Sequence, residues 1–119
     1  VGACAYNLRE GPVRISARTG QLFQSLSVHA RGGTVFYAIT DRAAVRGALD
    51  VVLLTGAQLD EILAREDEDE VSRDVRVISP ALEGFVIVRV LASLPSQRPE
   101  AEEAARSVAC TIDTLPESR

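Results

Sequence analysis

Few residues of this 119-residue chain are equipped for chemistry, and their spacing narrows the choice further. His29 is the single histidine. As a general base it would need a nucleophile and an orienting carboxylate close in space. Alternation instead puts it on the polar face of a strand, and there is no Gly-x-Ser-x-Gly elbow. It reads as a solvated surface residue. One histidine and two distant cysteines do not make a tetrahedral zinc set. All 13 basic residues are arginine. Without lysine there is no Schiff base, no P-loop and no amine nucleophile.

The cysteines carry more information. Cys4 and Cys110 lie near opposite ends, with no CxxC spacing and no metal companion. In an exported chain they are expected to pair, and in a cytosolic one to remain two buried thiols. The pair would close a loop of roughly 100 residues, worth about 4–5 kcal/mol in the chain-entropy model. The chain starts at Val1, without an initiator methionine, which fits a processed leader or a trimmed chain.

The carboxylates are numerous but poorly arranged for catalysis. Glu66, Asp67, Glu68, Asp69 and Glu70 run consecutively. Such a run repels itself and stays in water. It could offer oxygen ligands to calcium, but it lacks the glycine and the alternate spacing of a calcium loop. A third reading is a docking loop for the arginines of a neighbouring subunit. Glycoside cleavage by paired acids would want aromatic platforms, and the chain has 2 Tyr, 3 Phe and no Trp. Arg89 sits among Phe85, Ile87 and Leu91 on one strand face. Either its stem lies along a half-covered sheet or it meets a carboxylate of another subunit. No cofactor is expected.

Composition excludes further classes. Net charge is −4, so no basic face for nucleic acid is expected. No apolar run approaches the roughly 20 residues of a membrane helix. With 46% hydrophobic and 25% charged residues, the chain reads as one globular domain over 1–119.

The elements that must position these residues are mostly strands. Val13, Ile15 and Ala17 alternate with Arg14, Ser16 and Arg18. Leu22, Gln24, Leu26, Val28 and Ala30 form the inward row of a second strand, which ends at the hairpin signal Gly32-Gly33. Residues 34–40 are apolar on both faces, as in a central strand, and 49–55 read the same way. The intervening 41–48 is a loop. Leu59, Ile62 and Leu63 give 57–65 helical spacing, in a helix too short to stand without the sheet. Strands follow around Val75 and Val77 and over 85–91. A Pro-rich loop at 93–100 leads into two helical turns at 100–107, and Val108, Cys110 and Ile112 close the set. Cys4, Tyr6 and Leu8 alternate too, either as a first strand or as an arm added to a neighbour's sheet edge. The tail beyond Leu115 is expected to fray.

The segments Gly33–Thr40, Leu49–Thr55 and Gln58–Leu63, in that order, resemble the middle of secreted β-sandwich accessory domains, namely bacterial pre-peptidase C-terminal domains and p24/GOLD-type domains. The strand Phe85–Leu91 would match their final hairpin, although Gly84-Phe85-Val86 stands where Gly-x-Tyr-Tyr is expected. The resemblance spans about half of the chain and transfers no functional residue. It implies a jelly-roll-like sandwich that is exported, non-catalytic and used for adhesion, assembly or cargo contact.

About seven strands with one or two short helical insertions predict a mainly all-β, antiparallel sandwich. The expected role is a non-catalytic extracellular structural or interaction module. Its partner would be protein, including itself as an oligomer or filament, because sandwich edges are pairing templates. The alternative is an intracellular α+β regulatory or ligand-binding domain with reduced cysteines.

Overall fold

In a computed structural model, residues 1–65 and 75–112 are described. Eight strands run in the order Gly2–Asn7 (β1), Val13–Arg18 (β2), Gln24–Ala30 (β3), Val35–Thr40 (β4), Ala48–Leu54 (β5), Val75–Ile78 (β6), Glu83–Val90 (β7) and Ala109–Ile112 (β8). Two helices interrupt them, Gly56–Arg65 (α1) and Arg98–Arg106 (α2). The strands form two four-stranded sheets, ordered β1-β7-β3-β4 and β6-β5-β2-β8.

Period-two patterning builds the space between the sheets. Val13, Ile15 and Ala17 of β2 are buried, as are Leu49, Val51 and Leu53 of β5. They meet Leu26 and Val28 of β3 and Val86 and Val88 of β7 in one cluster, closed at one end by Tyr6 and Leu8. Burying each such aliphatic side chain stabilises by about 1.5–3 kcal/mol, which favours the alternation in β2 and β3. β5 instead buries the continuous run 51–54, as expected of a strand covered on both faces.

The N-terminal segment belongs to the sandwich. β1 pairs antiparallel with β7 over all six residues, from Gly2 opposite Val88 to Asn7 opposite Glu83. This is the eighth strand, beyond the seven that the pattern alone counts. α2 turns Ala101 and Ala105 inward and settles close to β1. The approach depends on Gly2, where a β-carbon would stand 1.9 Å from the Ala105 carbonyl oxygen. The helix begins at Arg98, two residues before the expected start, because Pro99 fits the first helical turn, where no N–H is needed.

Three further expectations are corrected. β4 is not central: it is the outermost strand of its sheet, and Val35 is half exposed. Its run of Val, Phe, Tyr and Ile reports strand propensity, whereas its position was decided by β3 taking β7 as its second neighbour. The second correction concerns β6, which pairs parallel to β5, from Val51 opposite Val75 to Leu54 opposite Ile78. A parallel neighbour needs a crossover, and α1 lies within it. The third concerns α1 itself, where Leu59 and Ile62 are half buried but Leu63 remains exposed. Within 41–48, Asp41–Ala43 form a short 3-10 turn.

The entry to α1 has a local cause. Thr55 Oγ1 accepts from the Gln58 N–H at 3.1 Å, and Gln58 Oε1 accepts from the Thr55 N–H at 2.9 Å. This is a reciprocal capping box. Gln58 Nε2 also donates to the Leu8 carbonyl at 2.7 Å, tying the helix start to the β1–β2 connection.

Candidate functional site

Cys4 on β1 and Cys110 on β8 form a disulfide, with Cα atoms 5.9 Å apart. Since β1 and β8 are each the outermost strand of a different sheet, the bond clasps one flank of the sandwich. The form with two reduced thiols is therefore not the one this structure takes. Counted from the clasped flank, β4 and β6 are the far strands of their sheets.

The two flanks differ in chemistry. β4 reads Val-Phe-Tyr-Ala-Ile-Thr, with no charge and no proline, and among the described residues no strand pairs with its outer side. Val35 and Ala38 are exposed on it. Sheet proteins usually blunt such an edge with lysine, proline or a bulge. The bulge present here, at Val28/His29 against β4, lies on the inner pairing and leaves the outer side open.

The outer face of the same sheet carries the other candidates. Arg89 shares it with Phe85 and Ile87, and the register sets Arg89 opposite Ser25 on β3. Arg89 is exposed and makes no hydrogen bond or ion pair among the described residues. Its neighbours are small or apolar: Ser25, Ser27, Ala38 and Ile87. The acidic run Glu66, Asp67, Glu68, Asp69 and Glu70 lies outside the described residues.

His29 departs from the expected solvated surface position. It is half buried, and its ring stacks on Phe85 with centroids 4.7 Å apart and planes within 9°. The reason is cross-strand: His29 faces Phe85 directly in the β3–β7 register. Nε2 lies 2.8 Å from Ser27 Oγ, and Nδ1 lies 3.3 Å from the Gly33 carbonyl oxygen. The sequence gives no sign of this Ser27 contact beyond the i, i+2 spacing. The ring has a hydroxyl on one side but a backbone carbonyl, not a carboxylate, on the other. What the arrangement does is hold two side chains flat against the sheet.

Charged groups concentrate at the end of the sandwich where β1 meets β7. Glu83 accepts from Arg9, and Arg31 stands 3.9 Å from its other oxygen. The Arg9 hydrogen bond and charge hold the Glu83 carboxyl below its ordinary value, with a smaller contribution from Arg31. Arg14 and Asp50 pair at 2.9 Å across β2 and β5. Among the described residues, no group of three or more His, Cys, Asp or Glu is placed to hold a metal ion, and no helix is long and apolar enough to cross a membrane.

Comparison with protein-family models, with curated proteins and with solved structures finds no significant match. The architecture is a disulfide-clasped, sandwich-like pair of four-stranded sheets with two small helices.

Proposed function

We propose that this chain is a non-catalytic, exported interaction module, folded as a single domain, which self-associates by pairing the β4 edge of one copy with the β4 edge of another. The observation that carries the reading is the outer side of β4, uncharged and, among the described residues, unpaired, on the flank opposite the disulfide. Antiparallel addition of two β4 strands has twofold symmetry, so each copy offers the same surface and the contact closes as a dimer. Main-chain hydrogen bonds give affinity in such an arrangement, and the exposed Val35 and Ala38 contribute apolar contact.

Joining the edges also makes the two outer faces one surface, which carries the exposed Arg89 of each copy on β7, with β3 and β4 between it and the seam. The disulfide supports the extracellular assignment, since such bonds persist in oxidising compartments. Adhesion or assembly, the role implied by the resemblance to secreted sandwich accessory domains, fits the same surface.

Sedimentation velocity over a range of concentrations tests the proposal. A dimer is expected for the native chain and a monomer for the double variant V35K/A38K, which places charges on the edge without touching the core. A native chain that stays monomeric at the highest soluble concentration, or a double variant that still dimerises, overturns it.

A further inference from the structure

The end of the sandwich beside α2 holds a feature independent of the β4 edge. Gln24 opens β3, and its side chain belongs to the inward row with Leu26 and Val28. It is completely buried, and neither Oε1 nor Nε2 has a hydrogen-bond partner among the described residues. Its backbone N–H reaches Asp41 Oδ1 at 3.4 Å, so the mismatch is confined to the side chain. Val90, directly opposite on β7, offers only hydrocarbon. A buried carboxamide left without partners costs free energy that an apolar side chain of similar shape would not.

Gln24 lines a cleft of about 240 Å³. Arg18, at the end of β2, and the adjacent Thr19 line it too, as do Glu100 and Glu103, one turn apart on α2. A β-carbon built on Gly20 would stand 3.3 Å from Glu100 Oε2, which brings that carboxylate close to the β2–β3 connection. The lining thus brings an arginine and a threonine from one segment together with two glutamates from another. The buried carboxamide can both donate and accept.

We propose that this cleft binds a small zwitterion of the α-amino-acid class. Glu100 and Glu103 favour an ammonium group, and Arg18 favours a carboxylate. Gln24 completes the set, with Oε1 accepting from the ammonium and Nε2 donating to the carboxylate. An anion without an amine would face two carboxylates uncompensated. A cation without a carboxylate would oppose Arg18 and leave Nε2 unmatched. The volume lies below the roughly 300–1,000 Å³ of pockets for drug-sized ligands, so the ligand is small. The terminal atoms of Gln24 are shielded from solvent, so binding requires the side chains that line the cleft to part when the ligand enters. The hydrogen bonds it brings replace those that Gln24 lacks.

The test is a titration of the isotopically labelled chain, disulfide intact, with each common L-α-amino acid singly at millimolar concentration, followed by amide NMR shifts. At least one should bind saturably and move the signals of residues 18–24 and 100–104. Gln24→Leu should lower that affinity by about tenfold or more. Without added amino acid, the same variant should melt a few degrees higher than the native chain. The surface variant E100Q/E103Q, which leaves the core untouched, should weaken binding by at least a similar factor and reads the result should Gln24→Leu fold poorly. Absence of saturable binding for every amino acid overturns the proposal. So does binding undiminished in either variant. Neither result bears on the β4 edge, whose readout is the oligomeric state.

Discussion

Tyr6 Oη lies 3.0 Å from Ser79 Oγ, which joins β1 of one sheet to the segment leaving β6 of the other across 73 residues of sequence. Ser79 Oγ also donates to the Ala81 carbonyl at 2.6 Å and accepts from the Ala81 N–H at 3.2 Å, which fixes the turn. Ser79 therefore accepts the phenolic proton, and its own hydroxyl is spent on the backbone. Leu8 N–H donates to the Leu82 carbonyl at 2.8 Å beside it, so side chain and backbone close the same end of the core.

Tyr6→Phe keeps the ring and removes the hydroxyl. The expected loss is about 0.5–1.5 kcal/mol, the net worth of one hydrogen bond, read from urea unfolding. Burial raises the Tyr6 pKa above its ordinary 10.0, a rise that the Ser79 hydrogen bond partly offsets. The unfolded chain loses this proton at a lower pH than the folded one. Stability should therefore fall as pH climbs past the ordinary value, and Tyr6→Phe should flatten that decline. An alkaline profile identical in the two proteins would refute it.

Gly84 faces Tyr6 in the β1–β7 register, and the tyrosine ring lies over it. A β-carbon there would stand 2.1 Å from the His29 carbonyl oxygen and 2.6 Å from Tyr6 Oη. Backbone cannot yield cheaply on one side of the strand, and the buried ring cannot yield on the other. Gly84→Ala should cost about 1–3 kcal/mol or more. A melting temperature equal to that of the native chain would show that the ring moves freely.

Reduction of Cys4–Cys110, or the double variant C4A/C110A, should destabilise by about 2–5 kcal/mol. The linked residues are 106 apart, so the unfolded chain regains nearly all of its freedom when the bond opens. Denaturant midpoints with and without reductant measure the difference. Coincident midpoints would mean that strand pairing alone holds the flank together.

Glu83 gives the acid side of the pH profile. Arg9 lowers its folded pKa beneath the ordinary 4.5, so the contribution is fully present above that value. It disappears as pH falls through the folded pKa. Glu83→Gln should reduce the slope of stability against pH in that window and leave the alkaline side unchanged. Because the pair is exposed to solvent, added salt should diminish the effect. A slope unchanged by the substitution would assign the acid response to other carboxylates.

Much of the fold was legible because alternation is a local signal. Val13, Ile15 and Ala17, or Leu26 and Val28, declare which side must leave water, whatever strand lies beside them. The two cysteines at opposite ends, and the change of period after Gly56, were open to reading for the same reason. The candidate site was less legible. Periodicity places Arg89 on an apolar face but says nothing of its partners, and the two-sided apolar run of β4 suggests a central strand although the strand lies at an edge.

Sequence by itself determined the strand-rich character, the inward rows of the core and the places where helices interrupt it, since each follows from side-chain periodicity over a few residues. Tertiary structure alone decided that β4 lies outermost, that β6 runs parallel to β5, and that Tyr6 finds Ser79. It also decided that the side chain of Gln24, an ordinary member of an inward row, finds no hydrogen-bond partner among the described residues. These outcomes depend on which distant segments pack together. That choice minimises exposed apolar surface and unmatched polar groups over the whole chain, a sum that no local window contains.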